Sequence, residues 1–270
     1  MSVDLHPKTD RDVLAAVQWA VAEEQPVEIV GQGSKRALGR PSQVAHVLDM
    51  SGLSGVTLFE PEELVLSAKA GTPLSQLSDL LEQNNQEFQF EPVDLGPLLG
   101  QEEGQGTLGG MVSTNIAGSK RLKFGSARDH ILGVKAVSGR GEIFKSGGRV
   151  VKNVTGYDLS KGVTGSFGTL AALTDITMKV MPKSETEQTL LLLGLSDAEA
   201  AEAMALAMGS SAEVSGAAHL PAGIDGDRSK TLLRLDGFAP SVDYRISKLG
   251  QLLSIWLPRW TWRPWKRMAG

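Results

Sequence analysis

Glycine is spread unevenly along this chain: 23 of its 31 glycines lie between Gly31 and Gly168. Glycine weakens the interior of a helix or strand, so such a density belongs where backbone must take positive φ or approach another group closely. The stretch reads as a glycine-lined binding domain. With 270 residues, 41% hydrophobic and 21% charged, the chain suits one large or two modest domains and lies outside the disordered range. A net charge of −4 argues against nonspecific nucleic-acid binding, which needs clustered cations. The absence of cysteine excludes disulfides, thiolate catalysis, cysteine-ligated iron–sulfur clusters and cysteine-linked cofactors within this sequence.

The spacing predicts a first helix over 10–24, capped by Thr9 or Asp10, with Val13, Leu14, Val17 and Val21 on one face. A strand over 27–30 runs straight into Gly31-Gln32-Gly33-Ser34-Lys35, and further strands are expected at 44–49 and 64–70. Thr72 is expected to cap a helix reaching Gln86, with Pro73 in its first position. Residues 91–126 lack periodicity and read as ordered loops. Strands resume at 131–138 and 142–145, and 169–180 reads as a strand or strand pair ended by Met181-Pro182. Lys183 to Glu187 reads as a linker. Beyond it come a strand at 189–193, a capping box at Ser196-Asp197-Ala198-Glu199, an Ala/Met-rich helix ending at Gly209, strands near 212–219 and 230–236, and a helix from about Ser241. This order suits a short, partial α+β domain.

The first loop offers consecutive N–H groups and a hydroxyl, which suits a pyrophosphate; a tight turn without a ligand explains it equally well. Gly104-Gln105-Gly106-Thr107-Leu108-Gly109 matches G-x-G-x-x-G by letter. The preceding Leu99–Glu103 is no hydrophobic strand and no amphipathic helix follows, so the dinucleotide-fold reading fails.

Three segments together are more specific: GQGS at 31–34, GQGTLGGMVSTNIAG at 104–118 and NVTGYDLSKGVTGSFGTLAALTDI at 153–176. With the Arg/Lys-bearing stretch Lys120 to Arg128, they resemble the FAD-binding domain of the vanillyl-alcohol oxidase/p-cresol methylhydroxylase (PCMH) superfamily over residues 27–182. Within it the resemblance is closest to the FAD-binding E subunits of bacterial glycolate oxidases. It implies an α+β fold: a PCMH-type domain of two α+β subdomains at 1–183, a partial α+β cap at 184–253 and an atypical Trp/Arg-rich tail at 254–270.

The resemblance also implies a cofactor site for FAD. Gly31, Gln32, Gly33, Ser34 and Lys35 match the first pyrophosphate loop, and Thr107, Leu108, Gly109 and Gly110 the second. Asn115 and Gly118 match a motif near the flavin ring, and Gly125 and Asp129 match a turn. Gly165, Ser166, Gly168 and Thr169 match the segment beneath the adenosine and ribityl side, and Ile176 falls where a backbone segment of the family meets the adenine. Tyr157 and Asp158 read as helix N-terminal residues. The family's usual G-S-E-G-T-L-G is here Gly165-Ser166-Phe167-Gly168-Thr169-Leu170-Ala171. Phe167 replaces a carboxylate, a form expected of the E-type subunit. The first loop has no His or Cys, so non-covalent FAD is expected.

None of His6, His46, His130 or His219 forms a spaced pair suited to a metal or an acid–base dyad, and no metal is expected. No catalytic residue is assigned. Lys120, Arg121, Lys123 and Arg128 read first as a solvated loop. The resemblance implies an FAD-dependent oxidoreductase subunit acting on glycolate or a similar 2-hydroxy acid. A homologous FAD-binding catalytic subunit and an iron–sulfur subunit would be its partners. A self-sufficient dehydrogenase and a flavin-free scaffold are the rivals. No signal peptide and no span of ~20 apolar residues is seen, so a cytoplasmic protein is expected, peripheral to the inner membrane only through partners or tail. The tail reads first as a truncated or frameshifted end, then as a docking segment, then as an interfacial one.

Overall fold

The computed structural model describes residues 3–41, 43–148 and 156–259. In chain order its elements are β1 (Val3–Leu5), α1 (Asp10–Ala22), β2 (Val27–Val30), β3 (His46–Asp49), β4 (Val56–Glu60), β5 (Val65–Lys69), α2 (Leu74–Gln83) and β6 (Gln86–Glu87). There follow α3 (Leu108–Thr114), α4 (Arg121–Phe124), α5 (Ala127–His130), β7 (Ile131–Ser138), β8 (Ile143–Gly147), α6 (Leu159–Val163), β9 (Ala171–Lys179) and β10 (Met181–Pro182). The last are β11 (Thr186–Leu193), α7 (Asp197–Met208), β12 (Gly216–Leu220), β13 (Lys230–Gly237) and α8 (Ala239–Leu252). The protein is α+β and forms two compact units, residues 1–118 with 125–182, and residues 119–124 with 183–270.

In the first unit a parallel sheet β1-β3-β2 stands beside an antiparallel sheet β4-β5-β9-β7-β8. Leu66, Leu77, Leu81, Leu108, Met111, Val112, Ile176 and Met178 build the larger core, joining the antiparallel sheet to α2 and α3. Val13, Leu48, Val137 and Ala172 build the smaller one beneath α1. The start of α1 is fixed by a capping box: Thr9 Oγ1 accepts from the Asp12 N–H, and the Asp12 carboxylate accepts from the Thr9 N–H at 2.8 Å.

The second unit holds an antiparallel sheet β11-β13-β12. Leu190, Leu192, Leu233 and Leu235 pack with Ala200, Ala203 and Ala207 of α7 and with Val242, Ile246 and Leu249 of α8. The Ser196–Glu199 capping box starts α7, and Gly209 follows its last turn.

Several expectations are corrected. Thr72 does not cap α2: its hydroxyl donates to the Lys69 carbonyl at 2.7 Å, and Pro73, extended at ψ 137°, precedes the helix. The stretch 91–126 is not all loop, because α3 and α4 lie within it. Both are too short for periodicity to reveal. Met181-Pro182 does not simply end a strand but pairs with β6, and the supposed linker already enters β11 at Thr186. Strands β1 and β4 lie where the sequence pattern predicts none. Lys120 is no solvated cation: its side chain is 5% exposed, and it pairs with Asp236 at 2.9 Å inside the second unit. Among the described residues no helix is long and apolar enough to cross a membrane. Of the Trp-rich tail, residues 260–270 lie outside the described residues.

Candidate functional site

A cleft of about 420 Å³ opens in the first unit, walled by the end of β2 with the following loop, the start of α3, and the loop between α6 and β9. That volume falls within the range of small-molecule and cofactor sites. Of the expected residues, Gly31, Gln32, Gly33, Ser34, Lys35, Thr107, Gly109, Gly110, Gly168 and Thr169 line it. Three separate glycine loops therefore converge on one space.

Two close approaches explain glycine here. A Cβ on Gly31 would lie 2.9 Å from Thr107 Cγ2 and closer still to its Oγ1, so only hydrogen lets the first two loops meet. Gly33 takes φ +76°, which swings the chain out of β2 into the loop. The two loops differ in what their amides do. The Leu108 N–H donates to the Thr72 carbonyl at 2.9 Å and the Gly109 N–H to the Ala70 carbonyl at 2.7 Å. The Gly110 N–H donates to Thr107 Oγ1 at 3.2 Å. The first two donors hold the start of α3 against the chain just past β5, and the third caps the helix. The N–H groups of Gln32, Gly33, Ser34 and Lys35 have no acceptor among the described residues. Four adjacent donors with no internal acceptor on a positively curved loop suit an anion.

The electrostatics agree. Arg36 is neutralised by Glu28, Nη2 to Oε2 at 2.6 Å. Lys35 makes no ion pair among the described residues; burial lowers its pKa from the ordinary lysine value, and the field of Asp94 only partly opposes this. Asp94 is itself occupied, accepting from the Gly104 N–H at 2.6 Å and the Gly96 N–H at 2.9 Å. An anion entering the cleft would stabilise the Lys35 ammonium.

Other expected residues lie elsewhere. Leu108 and Ile176 are wholly buried in the larger core, Ile176 mid-sheet between Ala68 and Val134. Asn115 ends α3 at φ +52°, and its side-chain carbonyl accepts from the Arg128 N–H at 3.1 Å. Gly118 is pressed against Glu91, to whose carbonyl its N–H donates at 2.8 Å. Gly165 and Ser166 shape the loop behind the cleft wall, the Gly165 N–H donating to the Val112 carbonyl. Asp158 caps α6 by accepting from the Lys161 N–H. Gly125 turns at φ +79° against Asp129, which forms a capping box with Ser126. Asn153 to Thr155 of the third motif lie outside the described residues.

The cleft also includes Ser113, Thr114, Arg36, Arg40 and Phe167, none of them selected as site residues from the sequence. Phe167 sat inside a motif and was legible only as a departure. Ser113 and Thr114 needed the helical register of α3. Among the described residues no cluster of His, Asp and Glu could hold a metal ion. His219 is fixed in the second unit, Nδ1 to Thr231 Oγ1 at 2.8 Å and Nε2 to Asp197 at 3.2 Å.

The profile described as "FAD binding domain" matches residues 2–147. The chain is 40% identical over 178 residues to the glycolate oxidase subunit GlcE of Escherichia coli K12, covering 66% of this chain and 49% of that protein. It is 30% identical over 176 residues to the glycolate oxidase subunit GlcD of Bacillus subtilis, covering 64% and 36%. It is 28% identical over 199 residues to a D-2-hydroxyglutarate dehydrogenase of Stutzerimonas stutzeri, covering 73% and 40%. It thus spans about half or less of these relatives' length. Among solved structures it superposes on an alkyldihydroxyacetonephosphate synthase with a TM-score of 0.74 at 18% identity, covering 94% of this chain and 50% of the other, a likeness of fold.

Proposed function

Because the chain belongs to the FAD binding domain family, we propose that it is the flavin-carrying subunit of a multi-subunit oxidoreductase that oxidises glycolate or a similar 2-hydroxy acid. FAD is its cofactor. Bound FAD supplies two-electron redox chemistry. The chain's own residues supply binding and orientation. The N–H groups of Gln32 to Lys35 would hold the diphosphate, and Lys35 would balance its charge. Gly31 and Thr107 keep the two loops close enough to form one cradle. The attachment is non-covalent, since the first loop has neither His nor Cys. The observation that carries the reading is the set of four adjacent amides with no acceptor among the described residues, in a glycine-walled cleft.

The likeness to both GlcE and GlcD supports a complex containing a second, homologous flavin chain. An electron-accepting iron–sulfur subunit is the further partner we infer from the resemblance to glycolate oxidase E subunits; this sequence has no cysteine with which to ligate such a cluster itself. Both ring nitrogens of His219 are held, by Thr231 and Asp197, which supports a structural role for this histidine rather than that of a substrate base. The purified full chain should be yellow, or become so with FAD, and should reduce no dye with glycolate until the partner chains are added. Turnover by the chain alone would replace this reading with a self-sufficient dehydrogenase. Protein that is colourless and takes up no flavin would remove the cofactor assignment.

A further inference from the structure

We propose that Phe167 is a stacking platform for one of the two ring systems of the dinucleotide held in the cleft. The inference rests on the flavin reading above. Phe167 lines the cleft and is 57% exposed, so packing in a core does not account for it. Its backbone lies at φ +53°, a left-handed conformation that a bulky side chain rarely adopts. The neighbouring left-handed positions, Gly165 at +83° and Gly168 at +76°, are glycines.

The conformation is held from several sides. The Phe167 N–H donates to the Ser113 carbonyl at 2.8 Å, and the Gly165 N–H to the Val112 carbonyl at 3.0 Å. Both acceptors are carbonyls near the end of α3, where the helix leaves them without partners of its own. Thr169 Oγ1 closes the loop onto the Ser166 carbonyl at 2.6 Å. Strained backbone positions cost free energy and cluster at active sites and ligand clamps. The same cleft is lined by Gln32 to Lys35, whose amides have no acceptor among the described residues. Anion donors and an exposed aromatic face in one cavity match the two halves of a nucleotide, a phosphate group and a planar base. Adenine and isoalloxazine share that chemistry, and fragments separate them.

The test is titration of the full-length wild type, Phe167→Ala, Phe167→Gly and Phe167→Trp with FAD, ADP and FMN. The Ala and Gly variants should lose FAD affinity on the order of tenfold, and the Trp variant should keep it. One fragment, ADP or FMN, should show the same loss while the other is unchanged, and that fragment carries the stacked ring. Phe167→Gly relieves the backbone strain, so weaker binding with an unchanged or raised Tm separates the ring's role from folding. FAD affinity within about twofold of wild type in the Ala and Gly variants would overturn the proposal. So would a loss spread equally over both fragments, which would mark a distorted cleft. A wild type that binds no FAD would overturn the flavin reading itself, and this inference with it.

Discussion

Gly31 and Lys35 stand four positions apart and serve the cleft in opposite ways, one by lacking a side chain and one by its charge. Gly31→Ala places a methyl against Thr107 and forces apart the two loops that meet there. Its φ is ordinary, so the cost falls on loop spacing rather than on backbone strain. FAD titration should show at least tenfold weaker binding with Tm lowered by only a few degrees, since one loop can shift outward. Equal affinity would mean the loops need not touch. For Lys35 the sign follows from its burial. Its pKa is lowered, chiefly by desolvation. A bound anion raises it again, so binding takes up a proton in the window between the two values. FAD affinity should therefore fall as pH rises into the alkaline range, and Lys35→Met should flatten that slope while weakening binding at neutral pH. A slope unchanged in the variant would assign the titration to another group.

At the scale of elements, one polar network ties α1 to the antiparallel sheet. Asp10, in the first turn of α1, pairs with Lys69 of β5 at 3.2 Å and with Lys135 of β7. Lys69 also reaches Asp175 of β9 at 2.5 Å. Partial burial pushes the Asp10 carboxyl upward, but hydrogen bonds from Lys135 and Lys69 outweigh it and hold the pKa below the usual aspartate range. A lowered carboxylate pKa means stability present above the unfolded value near 3.9 and lost as pH falls through the folded one. Asp10→Asn should cost about 1–2 kcal/mol at pH 7 by urea unfolding, and progressively less as the pH is taken down through the acidic range. A pH-independent loss would make the effect one of helix capping instead. None of this network was legible in the sequence, because Asp10, Lys69, Lys135 and Asp175 come together only through tertiary pairing. The helix itself was legible, since Thr9 and Asp12 are local and the apolar stripe has a period. The glycine loops were legible for a different reason: close approach demands one residue type and leaves it in the sequence. Leu108 and Ile176 lie inside those motifs yet sit in the core, because motif membership does not distinguish a residue that lines the cleft from one packed behind it.

Across the whole molecule the chain passes between its two units three times, because Ser119–Phe124 belongs with residues 183–270 although it lies within the first unit's stretch of sequence. The segment joins the second unit by specific contacts. Lys120 pairs with Asp236, and the two side chains are 5% and 3% exposed. Ser119 Oγ accepts from Arg234 at 3.0 Å, and Lys123 donates to the Glu213 carbonyl at 3.1 Å. A buried ion pair adds little over an apolar pair of the same volume, but removing one partner strands the other charge. Lys120→Met should therefore destabilise the second unit by about 3–5 kcal/mol, and adding Asp236→Leu should restore much of that loss. Hydrogen exchange on the full chain reads this locally. Amides of β11, β12 and β13 should exchange faster in Lys120→Met and recover in the double variant, while those of β5, β7 and β9 stay protected. Loss of protection in both units alike would show that they open together. No change in either would show that the pair carries no share of the second unit's stability. The sequence offered Lys120 as one of several cations in a loop, and only the register of β13, which turns Asp236 inward, distinguishes it from Arg121 and Arg128.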